Sequence, residues 1–488
     1  MFNGKLNYKK SSYLIFLILV LLNYVLSVVK VKSPKDLENK FPSKYLFLNI
    51  LDGTIQTRYS NFGKIPYGYN LLGKVHYNPD IISEDYACRK LPFIGDSHKV
   101  DSSPIIMVHR GNCTFVTKVR NVENAGGHVA LIINNKDEPI NNIVMSDDGR
   151  GRELNIPGVL ISKSDGEILT NYIAQNKDRA KDIILEVEFE MEHPSNVVQY
   201  DFFLSSDSEA IYKLMNDFYF YEMNLRTNTR LTVHYITTQH PLYNESSNDN
   251  IERLNCLGKG KYCANPGSFG TVDGREIVFE SIKQKCVYNY AYGDANQPLL
   301  YWLYMRKFYE ICLNIETPKL NRECSALAVQ TLGLPSDIIN KCVHDSFIVE
   351  NNYDRLSPDF ELYAENSILN SGNENREIYF MNYIPSITIN GRSFWGSWRA
   401  DTLFEAICAG FNKKPDVCYD EGAFKRTSSI GWGSIMFIIV IIILINATIF
   451  YFCRNYIRGK IVERIESTDI NHKINTVVTS YLALRENK

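Results

Sequence analysis

The chain has 488 residues, more than one typical core holds, so we expect two or more domains. Its 53 basic and 55 acidic side chains give a formal net charge of -2. Because there is no basic excess to neutralise phosphates, nucleic acid is not an expected partner.

Residues 1–27 are predicted to be a secretory signal peptide that is removed. Three lysines precede an apolar run from Tyr13 to Leu26, and Val25-Leu26-Ser27 supplies small or apolar residues where a signal peptidase would cut. An uncleaved anchor is the alternative, but the run is short for a membrane span and contains Asn23.

Residues 28–192 are predicted to form a first domain built mostly of short strands. Between Ile105 and Asn135 the chain reads as an apolar strand, a tight loop Arg110–Cys113, an amphipathic helix, a Gly126-Gly127 stop and a second apolar strand. In a parallel strand-helix-strand unit, the loop after the first strand lies where ligands of open α/β structures bind. The loop is therefore a candidate ligand site, and a purely structural crossover is the alternative.

The same domain contains three further predicted features. In the helix after the loop, Phe115, Val119 and Val122 form one buried stripe. Residues 156–161 are predicted to be a strand that leads into a short helix, with Ser164 and Glu167 at the spacing of a capping box. At the end of the domain, apolar residues alternate with glutamates over residues 185–190, which predicts a half-buried strand.

Residues 193–420 are predicted to form a second domain. It begins with a strand from Val197 to Leu204, a helix from Ser208 to Phe218 and a strand from Leu231 to Thr237. From Ser281 to about Val349 the chain is predicted to be helical and contains four cysteines, which indicates an insertion held by disulfides.

The end of the second domain resembles a thioredoxin-like domain. Ile384-Pro385 precedes an alternating strand that closes in an Asn390-Gly391 turn, as in a cis-proline loop followed by a hairpin, and a helix is predicted from Ala400 to Phe411. A redox role does not follow from this pattern. Residues 205–209, after the first strand, contain no cysteine, whereas thioredoxin-type oxidoreductases need a Cys-x-x-Cys there.

After a linker at residues 421–429, residues 430–452 are predicted to be a transmembrane helix. The run from Ile430 to Tyr451 contains no charge and is long enough to cross a bilayer of about 30 Å. Three basic residues (Arg454, Arg458 and Lys460) follow it, and the signal peptide exports the N-terminal part. A type I membrane protein with a cytosolic tail at residues 453–488 is therefore expected.

Cysteine usage agrees with an oxidising compartment. An even number precedes the predicted span, which allows up to five disulfides with connectivity left open: Cys88, Cys113, Cys256, Cys263, Cys286, Cys312, Cys324, Cys342, Cys408 and Cys418. Cys453 is a candidate for reversible acylation, with an unmodified thiol as the alternative. Asn244 is a candidate glycosylation site in a polar stretch.

No pattern in the sequence is typical of an enzyme. There is no HExxH pair, no Gly-x-Ser-x-Gly elbow, no phosphate-binding glycine loop and no dinucleotide fingerprint. Asp147-Asp148 stands in a Gly-rich stretch and is interpreted as a solvated turn. We therefore predict no catalytic residue, no cofactor and no metal site.

The tail contains a Tyr-x-x-apolar tetrapeptide, Tyr481 to Leu484. Such a segment binds a coat adaptor in extended form, with the aromatic and the aliphatic side chain each in a pocket. An ordinary polar tail is the alternative reading.

These parts, in this order, resemble the vacuolar sorting receptor family, which carries soluble proteins from the Golgi to the vacuole. The loop Arg110–Cys113 and Ala125-Gly126-Gly127 resemble the protease-associated domain of that family. The likeness continues in the same order through several short segments: Asn61-Phe62-Gly63, Ile156–Ser164, His193-Pro194, His234–Thr237, Cys256 with Gly260–Ala264, Cys286, Ile384–Ser386 and Ala406–Phe411.

The resemblance implies an α+β or α/β architecture. A protease-associated domain would be followed by a thioredoxin-like domain with a disulfide-rich helical insertion and then by one transmembrane helix. It also implies soluble cargo proteins and a clathrin adaptor as partners, no enzymatic activity, and a single-pass location in the Golgi, endosomal, prevacuolar or vacuolar pathway.

The resemblance further implies a cargo site in the first domain. Arg110 would pair with a cargo carboxylate or with backbone carbonyls, and Cys113 would pair with Cys88. A mobile loop from Asn134 to Asp148 would close over the peptide. The cargo-binding residues expected from it are Arg110, Gly111, Asn112, Cys113, Asp147 and Asp148.

Some features depart from the family pattern. The family usually has Asp where this chain has Asn112, and Asn112-Cys113-Thr114 is formally a glycosylation sequon. Only Tyr419 to Ser429 separate the second domain from the predicted span, so the epidermal-growth-factor-like repeats of plant members and their calcium dependence are not expected. The alternatives to a receptor are a lumenal thioredoxin-like folding protein and a non-catalytic accessory subunit of a membrane protease.

Overall fold

The structure is a computed structural model, and the first of its two compact units ends at residue 419. The residues it describes are 28–41, 53–79, 87–94, 103–176, 182–191, 193–241, 255–264, 272–315, 318–348, 360–379, 381, 383–419 and 432–485. The predicted signal peptide and the linker at residues 421–429 lie outside these ranges.

Seven strands of the first domain close into a barrel with an apolar interior. The strands are β1 Val28–Ser33, β2 Thr54–Tyr59, β3 Asn70–His76, β4 Ser103–His109, β5 Val129–Ile133, β6 Gly158–Ile161 and β7 Ile184–Glu188. Their order around the barrel is β1-β2-β6-β5-β4-β3-β7, with β1 paired to β7. Strands β3 to β6 are parallel neighbours, and the other pairings are antiparallel.

Three helices accompany the barrel: α1 Lys35–Glu38, α2 Phe115–Asn124 and α3 Lys163–Gln175. Helix α2 connects β4 to β5, so the predicted strand-helix-strand unit is confirmed. It packs outside the barrel through Val116, Val119 and Val122, whereas Phe115 is only partly buried. The predicted stripe was therefore wrong at its first position, because the helix turns Val116 rather than Phe115 toward the sheet.

Helix α3 is longer than predicted, and its cap lies elsewhere. Ser162 accepts a hydrogen bond from the backbone N–H of Asp165 (3.0 Å), and its hydroxyl donates to the Asp165 carboxylate (2.7 Å). Ser162 is therefore the N-cap, and because Asp165 bonds to its hydroxyl rather than to its backbone N–H, the pair is not a capping box. Ser164 is inside the helix, so the predicted Ser164–Glu167 pair was wrong by two residues.

The second domain is centred on a four-stranded sheet in the order β15-β14-β8-β9. Its strands are β8 Val198–Leu204, β9 Thr229–Tyr235, β14 Ser386–Ile389 and β15 Arg392–Ser393; short pairs are β10 Cys256–Leu257 with β11 Tyr262–Cys263 and β12 Phe347–Ile348 with β13 Glu365–Asn366. The Ile384–Pro385 peptide is cis, and Asn390 (φ 49°) and Gly391 (φ 78°) both adopt the left-handed conformation that a two-residue hairpin requires. The predicted cis-proline loop and hairpin are confirmed.

Helices surround this sheet: α4 Glu209–Leu225, α5 Gly274–Tyr292, α6 Leu299–Phe308, α7 Arg322–Thr331, α8 Ser336–Asp345, α9 Phe360–Tyr363, α10 Ser367–Ile378 and α11 Ala400–Ala409. Helices α5 to α8 occupy the predicted insertion, although α5 begins before Ser281. Helix α4 ends at Leu225 rather than at the predicted Phe218. Trp302, fully buried, joins the insertion to the sheet, with ring centroids 6.2 Å from Phe202 and 5.7 Å from Phe218.

Five disulfides connect the ten cysteines of this unit: Cys88–Cys113, Cys256–Cys263, Cys286–Cys342, Cys312–Cys324 and Cys408–Cys418. Two of them, Cys286–Cys342 and Cys312–Cys324, hold the helical insertion together. The even count had predicted the number of bonds, and the structure supplies their connectivity.

The second unit, residues 420–488, contains helix α12, Trp432–Arg485. In the parts of the chain that the structure describes, we find no helix long and apolar enough to span a membrane. The predicted span at residues 430–452 falls partly on residues 430–440, whose side chains lie outside the described set.

Candidate functional site

The loop Arg110–Cys113 lies at the carboxyl end of β4 and is held by backbone bonds. The Arg110 N–H donates to the Ile133 carbonyl of β5 (2.9 Å), and the Cys113 N–H donates to the Gly111 carbonyl (2.8 Å). Gly111 (φ 132°) and Asn112 (φ 64°) both have positive φ, a region that Asn tolerates better than most residues. The loop is therefore a tight turn directed away from the sheet end.

Two further bonds fix the end of the loop and the start of the next helix. Thr114 is the N-cap of α2, and its hydroxyl oxygen accepts from the Thr117 N–H (3.2 Å). The Cys88–Cys113 disulfide ties the loop to the segment at residues 87–94. The pairing that the resemblance implied is thus confirmed.

A surface cavity of about 480 Å³ opens at this loop. It is lined by residues 110–115 together with Asn135 and Lys136. This volume lies within the range of small-ligand sites. The structure therefore brings four of the six predicted cargo residues to one concave surface, and Asp147 and Asp148 are not among its lining residues.

The side chain of Arg110 is oriented by three neighbours. Its Nη1 donates to Asn134 Oδ1 (2.9 Å) and to Glu138 Oε1 (2.8 Å), and the guanidinium carbon lies 5.8 Å from the centroid of the Phe115 ring. Among the described residues, we find no acceptor for its Nε or Nη2. The guanidinium is therefore fixed through one nitrogen and keeps donors on the other two.

Glu138 and Asn134 were missed as functional residues by the sequence reasoning. Their segment had been expected to close over a ligand, but no sequence pattern pairs Glu138 with Arg110. The salt bridge neutralises much of the charge of Arg110, whose side chain is 27% exposed. A ligand at this site therefore meets a partly compensated cation rather than an isolated one.

The acidic pair Asp147-Asp148 supports the site from outside the cavity. Asp147 Oδ1 accepts from the N–H groups of Gly149 (3.0 Å) and Gly151 (2.7 Å), which confirms a turn. Asp148 Oδ2 accepts from the Thr114 hydroxyl (2.7 Å), next to the loop, and from Arg150. The hydrogen bonds from Arg150 and then Thr114 lower the pKa of Asp148 to about 2.

Two titratable groups that no sequence motif marks lie beneath the loop. Lys118, on α2, has no exposed surface, its Nζ lies 3.6 Å from Cys88 Sγ, and burial lowers its pKa to about 8. His109, the last residue of β4, contacts the Tyr77 hydroxyl (3.0 Å). Burial and then the charge of Lys118 lower the pKa of His109. The base of the site is therefore more polar than the apolar pattern of the strand indicates.

Two families of domain match this chain. Residues 73–169, which include the loop and its cavity, match the PA domain, and residues 198–408 match the vacuolar sorting receptor thioredoxin-like domain. The chain therefore contains a PA domain followed by the thioredoxin-like domain of vacuolar sorting receptors.

Curated relatives agree with these two domain matches. Vacuolar-sorting receptor 7 of Arabidopsis thaliana is 26% identical over 81% of this chain and 60% of its own length. Vacuolar-sorting receptor 6 of the same plant is 28% identical over 74% of this chain and 57% of its own length. Vacuolar-sorting receptor 1 of Pisum sativum is 26% identical over 75% of this chain and 59% of its own length. The chain therefore spans no more than about 60% of the length of these three relatives.

The solved structures that match this chain are more distant than the curated relatives. The thiol-disulfide exchange protein alpha-DsbA2 from Wolbachia pipientis is 11% identical over 49% of this chain and 95% of its own, with a TM-score of 0.25. With so low a score, nothing about the function of this chain follows from the likeness.

The remaining predicted sites are the two glycosylation sequons and the sorting motif. Asn244 lies outside the described residues. Tyr481 lies on α12 with 71% of its surface exposed, so the predicted sorting motif is helical rather than extended; the Leu484 side chain lies outside the described set. Asn112 is exposed, while the Thr114 hydroxyl of its sequon is bonded to Asp148.

Proposed function

We propose that this chain is a type I transmembrane sorting receptor. It binds soluble cargo proteins in the Golgi or endosomal lumen and delivers them to a vacuole or lysosome-like compartment. The observation that carries this proposal is the cavity at Arg110–Cys113, which lies in the protease-associated domain of a chain that also contains the thioredoxin-like domain of vacuolar sorting receptors.

The chemistry of the cavity suits an extended peptide. Arg110 is already oriented by Asn134, Glu138 and Phe115, so little side-chain entropy is lost when its remaining donors bind a ligand. Because Glu138 compensates much of its charge, neutral backbone carbonyls suit these donors at least as well as a carboxylate. The exposed Lys136 at the rim adds a cation that favours an acidic residue in the cargo.

Delivery is assigned to the end of the chain. The uncharged run from Ile430 to Tyr451 would anchor the receptor, and the Tyr481–Leu484 motif would bind a clathrin adaptor. Because Tyr481 lies on α12, binding in extended form requires the last turns of that helix to unwind.

The alternative function, that of a lumenal thioredoxin-like folding protein, has less support. All ten cysteines up to residue 419 are bonded in five pairs, none with the Cys-x-x-Cys spacing, and the first helix of the sheet domain begins without one. The protease-accessory alternative is distinguished by its partner: it requires a stable stoichiometric protease complex.

The test is a peptide selection on the purified full chain in detergent. Random twelve-residue peptides displayed on phage are selected against the wild-type chain, and the enriched peptide is synthesised as a fluorescent probe. We expect Arg110→Ala to weaken probe binding by about tenfold or more, because charge-assisted hydrogen bonds to the guanidinium are lost.

Arg322→Ala is the matched control, since this arginine is on α7 of the second domain and pairs with Glu276 and Glu361, which do not line the cavity. Unchanged probe binding by Arg110→Ala, or a selection that enriches no peptide, would overturn the proposed cargo site.

A further inference from the structure

The segment Ser60–Gly63 forms part of the contact between the two domains. The N–H groups of Gly396 and Ser397, in the loop after β15, donate to the carbonyls of Ser60 and Gly63 (both 2.8 Å). Trp395 reinforces this contact, because its backbone N–H and carbonyl both bond to the Tyr67 hydroxyl (2.7 and 3.0 Å). One edge of the segment is therefore held by the thioredoxin-like domain.

The other edge of the segment holds the loop that precedes β6. The Asn61 N–H donates to the Met145 carbonyl (3.1 Å), and Asn61 Oδ1 accepts from the Asp147 N–H (2.8 Å). Gly151, farther along this loop, lies so close to Phe62 that an added Cβ would be 2.7 Å from its Cβ. Asn61 therefore fixes the start of the loop with both its backbone and its side chain.

The loop then runs along helix α2 and reaches the cargo cavity. Asp148 accepts from Thr114 (2.7 Å) at the start of the helix, the Arg150 carbonyl accepts from Arg120 in its middle, and the Asn155 N–H donates to Glu123 (2.8 Å) near its end. Thr114 lines the cavity and directly follows the disulfide-bonded Cys113. A continuous set of contacts thus joins the second domain to the edge of the cavity.

We propose that Asn61 is a positioning residue of the cargo site. Through Asp147, Asp148 and Thr114, Asn61 fixes the position of the loop Arg110–Cys113 relative to the thioredoxin-like domain. Cargo affinity depends on that position. This inference rests on the proposed function. Asn61 itself does not line the cavity, so it acts on the ligand only through the 145–148 loop.

The test uses the full chain in detergent and the fluorescent peptide selected against the wild-type chain. Asn61→Leu keeps the side-chain size but removes the acceptor for the Asp147 N–H. We expect it to weaken probe binding about fivefold, the effect of about one net hydrogen bond. Asn70→Leu is the control: the side-chain amide of this exposed asparagine on β3 donates to Glu186 (3.5 Å) and Glu190 (3.4 Å), and its replacement leaves binding unchanged.

A double-mutant cycle separates positioning from general destabilisation. If Asn61 acts through Asp148, the Asn61→Leu change causes no further loss of affinity in an Asp148→Ala background. Full additivity of the two losses, or wild-type affinity of the Asn61→Leu variant, overturns the inference. If Arg110→Ala still weakens probe binding by about tenfold or more in that case, the proposed function stands; if Arg110→Ala binds normally, the proposed function itself fails.

Discussion

The hydroxyl of Tyr200 donates a 2.6 Å hydrogen bond to the carboxylate of Glu222 in the core of the second domain. Glu222 is on α4, only 2% of its surface is exposed, and burial raises its pKa to about 7, with the Tyr200 bond offsetting part of the rise. In an unfolded chain the same group titrates near ~4.3.

The first prediction rests on this difference in pKa. The folded chain binds the Glu222 proton more tightly than the unfolded chain, so its contribution to stability is fully present below about pH 4.3 and is lost as the pH rises to about 7. The loss amounts to roughly 4 kcal/mol, at about 1.4 kcal/mol for each unit of pKa. Glu222→Gln keeps an acceptor for Tyr200 and does not ionise, so it raises the melting temperature at pH 8 more than at pH 4.5. The same change at Glu209, which pairs with Lys213 at the exposed start of α4, shows no such gain; equal gains at both positions would refute this effect of burial.

The second prediction concerns the contact between the domains. The guanidinium carbon of Arg58, on β2, lies 4.6 Å from the centroid of the Trp395 ring. Trp395→Ala removes this cation–π contact and part of the apolar packing, so we expect the free energy of unfolding to fall by about 2 kcal/mol. Thermal unfolding followed by near-ultraviolet circular dichroism measures the change. Phe93→Ala, at an aromatic residue that is 68% exposed, is the control and leaves the transition in place.

The third prediction separates two disulfides by function. Joint replacement of Cys88 and Cys113 by Ala opens a bond with a sequence separation of 25 and releases the loop that carries Arg110. We expect a loss of about 3 kcal/mol in stability and weaker binding of the selected peptide. Joint replacement of Cys408 and Cys418, separated by 10 residues and away from the cavity, lowers stability but leaves peptide affinity unchanged. Equal losses of affinity in the two double variants would contradict a local role of Cys88–Cys113.

The fourth prediction compares two helical glycines. A Cβ on Gly372, in α10, would lie 2.0 Å from the backbone carbonyl oxygen of Tyr235, whereas one on Gly459, in α12, would meet nothing within 4 Å. Replacement of a helical glycine by alanine normally stabilises by ~1 kcal/mol. We expect that sign for Gly459→Ala, read from helical content on heating. Gly372→Ala instead lowers the melting temperature of the domain, because α10 must move away from β9. A stabilised Gly372→Ala variant would show that this close approach is relaxed.

Much of the fold can be predicted from local patterns. The strand, loop, helix and Gly126-Gly127 stop around Arg110 are encoded within 31 consecutive residues, and the Asn390-Gly391 hairpin is encoded in two. Errors arise where tertiary packing decides between similar local options. Ser162 and Ser164 are equally good caps in sequence, and only the end of β6 selects the first. Helix α4 continues past Phe218 because Glu222 and Leu225 are buried.

The candidate site, too, could be predicted from sequence only in part. Its loop could be located from sequence, because turn glycine, cysteine and helix start stand together. The partners of the Arg110 side chain could not be predicted from sequence. They lie 24 and 28 residues farther along the chain, and no helical or strand periodicity relates positions that far apart. The contact from Asn61 to the 145–148 loop is longer still, and only the closed barrel brings its two ends together.

The positive φ of Asn112 bears on how ligand preference diverges within this family. Glycine, asparagine and aspartate are the residues that adopt such a conformation most readily. An exchange of aspartate for asparagine therefore alters the charge at the mouth of the cavity by one unit while the path of the backbone stays the same. Receptors that share one loop shape can in this way come to prefer cargo of different charge, without any rebuilding of the barrel beneath.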